Sequence, residues 1–270
     1  MARNLRPTRP APRSAPRTAW GWAWAGALVG VLPAVVAFAP AHWLAGGVAR
    51  ATQGQVQLLQ PRGTVWTGSA QLVLTGGQAS KDSAALPGRV DWQLRPTWGG
   101  LRARLQAGCC TPEPLQAQVH LRWAGPQITL ADGQSQWPAA LLAGLGTPWN
   151  TLQPQGQLAL QTRALAVQWA AGRMVLSGQA QLDARAMSSR LSTLRPMGSY
   201  RLVLQGGEVP TLALSTLDGA LQLSGSGQWV GNRLRFAGEA SAAPEREAAL
   251  SNLLNIIGRR NGARSIITVG

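Results

Sequence analysis

Chemistry needs convergent polar groups, and this chain supplies few of them. Histidine occurs twice, at His42 and His120. A zinc site draws three or four ligands from His, Cys and carboxylates at recognisable spacings, and no such cluster is present. Cys109 and Cys110 are adjacent, so a disulfide between them closes only a strained ring, and no other cysteine exists to pair with either. The sequence favours two small residues near a strand end, with a vicinal or an intermolecular disulfide as the alternatives. Two carboxylates can hydrolyse glycosides, but Glu245 and Glu247 stand two apart on an expected helix and diverge. No Gly-x-Ser-x-Gly elbow occurs, and Gly225-Ser226-Gly227 falls between expected strands rather than in a phosphate-binding loop. The reading is therefore of a protein that is not an enzyme, with no catalytic, cofactor-binding or metal-binding residue and no cofactor.

The tryptophans are the other candidates. Eight of the twelve lie beyond residue 60: Trp66, Trp92, Trp98, Trp123, Trp137, Trp149, Trp169 and Trp229. Aromatic rings line sugar and lipid sites, but they pack cores more often, and core packing is the expectation here.

The elements that would position these residues are mostly strands. Of the 270 residues, 45% are apolar and only 13% charged, with 32 Gly, five Glu and one Lys. Such a mix suits short strands and turns better than long helices. From Gln55 the apolar period is two. Val90, Trp92 and Leu94 alternate with Asp91, Gln93 and Arg95, and Val119, Leu121 and Trp123 alternate with His120 and Arg122. Alternation of this kind means strands with one buried and one wet face. Gly76-Gly77, Gly99-Gly100, Asp132-Gly133, Gly206-Gly207 and Asp218-Gly219 punctuate them, giving about a dozen antiparallel strands. Segments starting at Gly63, Gly156 and Gly225 read as loosely repeated strand pairs.

Two helical pieces interrupt the strands. One is expected over Trp137–Leu145. The other spans 244–258, opened by Pro244, with Glu245 and Glu247 at its positive end and Gly258 closing it. Leu250, Leu253, Leu254 and Ile257 share one face of it. Arg264–Val269 reads as a last strand. One helix cannot cover so many strands, so the apolar faces are expected to close on one another.

The N-terminal region fixes the expected compartment. Residues 20–39 carry no charge, enough for a helix to cross about 30 Å of hydrocarbon. Trp20, Trp22 and Trp24 at one end and Trp43 beyond the other suit the two interfaces. Arg3, Arg6, Arg9, Arg13 and Arg17 precede the run, which places the N-terminus in the cytoplasm. Ala37-Phe38-Ala39 resembles a signal cleavage site, but Pro40 would follow the scissile bond and block it. The expected organisation is a cytoplasmic Arg/Pro-rich tail (1–19), a transmembrane helix (20–39), a juxtamembrane linker (40–53) that can continue as a short surface helix, and a periplasmic β-rich domain (54–270). The net charge of +15 invites a nucleic-acid partner. However, the basic residues are five in the tail and otherwise mostly scattered singly, and no nucleic-acid partner is expected.

Several segments carry a family resemblance. The stretch from Gly238-Glu239-Ala240 through Asn252-Leu253-Leu254-Asn255 to Gly262-Ala263-Arg264-Ser265-Ile266-Ile267 is the most specific. Gly63-Thr64-Val65-Trp66-Thr67-Gly68, the Leu86-Pro87-Gly88 turn with Trp92 and Pro96, and Leu145-Gly146 with Leu152, Pro154 and Gly156 add to it. With these the chain resembles the type II secretion system protein N family. The resemblance implies an accessory, non-enzymatic inner-membrane component of the machine that exports folded proteins, linking or stabilising the assembly. Its implied partners are inner-membrane platform subunits and the outer-membrane secretin. The strand pattern is also similar to AsmA-type envelope proteins, whose anchored, curved sheets are associated with lipid handling. The implied fold is mainly β, a twisted antiparallel sheet with one C-terminal helix behind a membrane anchor, and the alternative function is to bind or transfer lipid.

Overall fold

The computed structural model describes residues 20–77, 80–122, 125–170, 173–231 and 233–270. The 1–19 tail and Trp123 lie outside the described residues. The chain divides into two compact units, one ending at Phe38 and one running from Ala39 to Gly270. In the first, helix α1 spans Trp20–Ala37, with Pro33 inside it. Among the described residues no helix is long and apolar enough to cross a membrane. The structure thus shows a helix where the sequence places the anchor.

The second unit begins with α2 (Ala41–Ala51), where a linker or short surface helix was expected. Among the described residues sixteen strands follow in one sheet, every pair antiparallel. Strand β1 (Val56–Gly63) rises and β2 (Thr67–Thr75) returns; short β3 (Ser83–Ala85) and then β4 (Val90–Thr97) lie along one edge of β2. The meander continues through β5 (Gly100–Ala107), β6 (Leu115–Arg122) and β7 (Gly125–Leu130) to β8 (Gly133–Pro138). A 3₁₀ helix (Ala139–Leu145) and one-turn α3 (Trp149–Leu152) come next. Trp137 and Pro138 therefore end a strand, and the helical piece expected from Trp137 starts two residues later.

Strand β9 (Gln155–Ala170) is long enough for β7 and β8 to pair with it one above the other. Then come β10 (Arg173–Ser188), β11 (Gly198–Gln205), β12 (Thr211–Gly219), β13 (Leu221–Val230) and β14 (Arg233–Ala242). Helix α4 (Glu247–Ile257) leads to β15 (Arg259–Asn261) and β16 (Arg264–Val269), which pairs with β14. The expected last strand is β16. Helix α4 begins three residues after Pro244, because Glu245 adopts a left-handed φ of 66° that breaks the first turn.

The sheet is open, and its apolar faces do not close on one another as expected. Both edges are of kinds that resist further pairing. Strand β1 carries Pro61, which lacks a donor, beside a register shift between Leu59 and Arg62. Strand β15 is three exposed residues, two of them Arg. Nor do the three glycine-led segments match one another: Gly225–Phe236 is a hairpin of β13 and β14, Gly63–Leu74 is a turn followed by β2, and Gly156–Val167 lies within β9 alone.

Register confirms the two-faced pattern. Trp92 stands opposite Leu105 and Leu94 opposite Ala103, while Asp91 faces Gln106 and Gln93 faces Arg104. Directly opposed residues share a face, so one side of the sheet is apolar and the other wet. On the apolar side α4 buries Leu250, Leu253 and Leu254 against Tyr200, Leu221 and Ala240. Burial, with the Asp218 carboxylate nearby, pushes the Tyr200 phenol above its usual range. On the wet side Asp183 is nearly inaccessible. Its carboxylate accepts two hydrogen bonds from Arg201, Nε at 2.7 Å and Nη2 at 2.8 Å, and one from Gln181 at 3.1 Å.

Leu254 has no exposed surface, so Leu254→Ala should cost about 2–5 kcal/mol by lost burial and the cavity left behind. Denaturant unfolding of the purified chain measures this; an unchanged midpoint would mean that α4 is a surface element. The Arg201 guanidinium, bonded to Asp183, holds that carboxyl below its ordinary 3.8. A depressed carboxylate contributes its full stability above the ordinary value and loses it as pH falls through the lowered one. Arg201→Met should therefore destabilise the protein at neutral pH. Its difference from the parent should shrink as unfolding is repeated below pH 3.8; a difference independent of pH would refute the pairing.

Candidate functional site: an apolar groove beneath helix α2

The site is built from the entry of the chain into the sheet. The carbonyl of Ala39 accepts a hydrogen bond from the Val65 amide at 2.8 Å, and Pro40 bridges to Thr64. The 64–66 turn is held from below by Trp92, whose ring is 2% exposed and whose indole N–H donates to the carbonyls of Val65 at 3.0 Å and Thr64 at 3.2 Å. Small residues then let α2 lie close on the strands: Ala41 meets Ala70 and Trp92, and Leu44 packs behind them. Gly68 completes the arrangement. A Cβ there would sit 2.6 Å from the Trp92 ring and 2.5 Å from the Arg62 carbonyl oxygen.

Held this way, α2 forms one wall of a groove of about 310 Å³. Leu44 and Val48 make that wall, Leu72, Leu94 and Leu105 lie on the sheet beneath, and Trp137 stands opposite. The size is at the small end for ligand pockets. No titratable side chain lines it, and Thr111, one of its few polar residues, is satisfied by the Ala107 backbone. Such a surface cannot supply acid, base or metal ligands. It can hold apolar matter, at about 25 cal/mol for each Å² taken from water. The apolar face continues past the groove, uncovered, to Ile128 and Leu121 on neighbouring strands.

At the lower end of the groove the chain turns through Cys109 and Cys110. These are bonded to each other, with Cα atoms 3.7 Å apart, so the alternative of a vicinal disulfide replaces that of two free small residues. Cys110 is buried with Leu86, Ala107 and Leu141, and Cys109 is exposed. The opposite face of the sheet carries a shallow polar cavity of about 450 Å³, lined by Arg62, Arg104, Asp91, Gln93 and Gln106.

The other residues weighed from sequence do not come together. His42 is exposed on α2 with its ring perpendicular to that of Trp43, and His120 faces Gly100 and Gln127 across strands. Among the described residues no three His, Cys, Asp or Glu converge as metal ligands would. Glu245 precedes α4 and Glu247 lies in its first turn. Gly225-Ser226-Gly227 sits in the middle of β13, not between strands. The tryptophans are mostly not core: of those described in the sheet unit only Trp92 is fully buried, while Trp98, Trp149 and Trp169 are exposed. The groove wall was missed. Its signal was Ala41, Leu44 and Val48 at i, i+3 and i+7, the stripe of a helix packed on one side.

The fold and groove are those of an open, one-sheet body able to bind apolar matter on one face. Residues 54–267 match the type II secretion system protein N family, and the chain belongs to that family. Membership ties it to type II secretion, to protein transport and to the cell envelope. No curated protein and no solved structure matches it. The segments that carry the likeness have structural duties: Gly63–Gly68 forms the turn over Trp92, and the Ser265 hydroxyl donates to the Leu254 carbonyl, tying β16 to α4.

Gly68→Ala should cost about 1–3 kcal/mol through overpacking against Trp92. It should also loosen α2, read as faster amide exchange at Leu44 and Val48. Unchanged stability and exchange would remove Trp92 as the clamp.

Proposed function

We propose that this protein is a non-enzymatic accessory subunit of the type II secretion system, held in the inner membrane by 20–39 with its sheet in the periplasm. In this reading it links or stabilises the platform subunits, and contacts to the secretin extend that role. The family match across nearly the whole sheet carries the proposal. The uncharged 20–39 segment and the five arginines ahead of it support a single span with the N-terminus inside. A body whose groove offers no titratable group is consistent with binding rather than catalysis.

A second reading, an AsmA-like role in binding or transferring lipid, is favoured by the same groove, since acyl chains need no polar partners. Two measurements decide. A reporter active only in the periplasm should work fused after Gly270 and fail fused before Trp20; mature protein beginning at Pro40 would sink the anchor. Photocrosslinking from the polar face in intact cells should capture secretion platform proteins. Stoichiometric phospholipid in detergent-free native extracts, with no secretion protein captured, would instead promote the lipid reading.

A further inference from the structure

Strand direction sorts the turns of the sheet into two rims. Odd and even strands alternate along the meander, so the turns at 63–67, 97–100, 122–125, 170–173, 205–211 and 230–233 all fall at one end, together with the C-terminus of β16. The α4 helix, the 3₁₀ helix and the Cys109–Cys110 turn occupy the other. The first rim is marked by its hairpin tips. Turn after turn exposes a large apolar side chain: Trp98, which is 104% exposed, then Leu121, Trp169, Val209, Val230 and Val269.

Cations accompany them. Arg62, Arg95, Arg102, Arg233 and Arg235 are exposed at this rim, and among the described residues none of the five makes an ion pair. Arg95 stands directly opposite Arg102 across the β4–β5 hairpin. Like charges so placed destabilise a sheet unless an anion lies between or beside them. Glu208 is the only acidic side chain in these turns.

The chain enters the sheet unit at this same rim. Ala39 and Pro40 are held by Val65 and Thr64, in the first of these same turns. We propose that the rim of hairpin tips rests on the periplasmic surface of the inner membrane and binds anionic phospholipid, the apolar tips at headgroup depth and the arginines on phosphates. Tryptophan favours that depth, and arginines near an anionic surface are attracted to it. The apolar tips stand singly, two strand spacings or about 10 Å apart, in a line rather than a contiguous patch. A protein interface concentrates its apolar core; a bilayer accepts a line. The groove and open apolar face lie on the same sheet, so chains lifted from the bilayer would meet apolar surface at once.

The proposal rests on the anchor reading, and the test separates the two. The full chain is reconstituted in nanodiscs of phosphatidylethanolamine and phosphatidylglycerol. It carries an environment-sensitive fluorophore at Trp98→Cys, Val209→Cys or, at the opposite rim, Asp218→Cys. Brominated lipids should quench the labels at 98 and 209 strongly and the label at 218 not at all. Adding Arg95→Glu and Arg102→Glu should weaken the surface association read by quenching at 98 by about thirtyfold or more. Protein that carbonate strips from the discs refutes the anchor. Protein that stays while position 98 remains unquenched, or is shielded only when other secretion proteins are present, overturns the docking and leaves the anchor intact.

Discussion

A β-ladder satisfies the backbone of each strand yet leaves it with two faces, and in this protein one face is apolar along most of the sheet. Covering that face is the constraint from which most of the architecture follows. A closed barrel or a sandwich would cover it with more strands. Here the cover is piecemeal: α2 over the first strands, Trp137 and the 3₁₀ helix at the lower middle, α4 over the last strands. Each piece has its own buried cluster, and the groove is the gap between the first two. The unusual feature of the molecule, accessible apolar surface in an ordered cleft, is thus a consequence of covering a long sheet with short helices.

The wet face obeys a different rule. It is rich in Gln, Ser and Arg, with few carboxylates, so most of its cations are left to solvent or to partners. The exceptions are Arg201, which sustains the nearly complete burial of Asp183 directly opposite it, Arg185, which reaches the same carboxylate, and Arg264, paired with Glu239. Elsewhere the excess of Arg is an available charge, and where it gathers, near the β4–β5 hairpin, no ion pair among the described residues engages it.

Much of this was legible in the residues. Period-two alternation gave the strands, paired glycines gave the turns, and Leu250, Leu253, Leu254 and Ile257 gave the face of α4. These signals are local, because a pleat or a helical turn repeats within a few residues whatever the rest of the chain does. The same locality explains the misreadings. Nothing near Trp137 distinguishes a strand end from a helix start, since the partner that makes it a strand is β9, some twenty residues on. Alternating tryptophans look like core residues until the sheet is known to stay open.

What the sequence by itself determined is the class of the fold, the two-faced character of the strands, the helix near the C-terminus and the family. The tertiary structure alone decided that the sheet is one open meander, that Cys109 and Cys110 are bonded, and that a groove lies under α2. It also decided that hairpin tips far apart in the chain share a rim with the point where the chain enters the sheet. The reason is physical: alternation fixes which side of a strand is apolar, but only the order and direction of the strands fix what that side meets and which turns stand together.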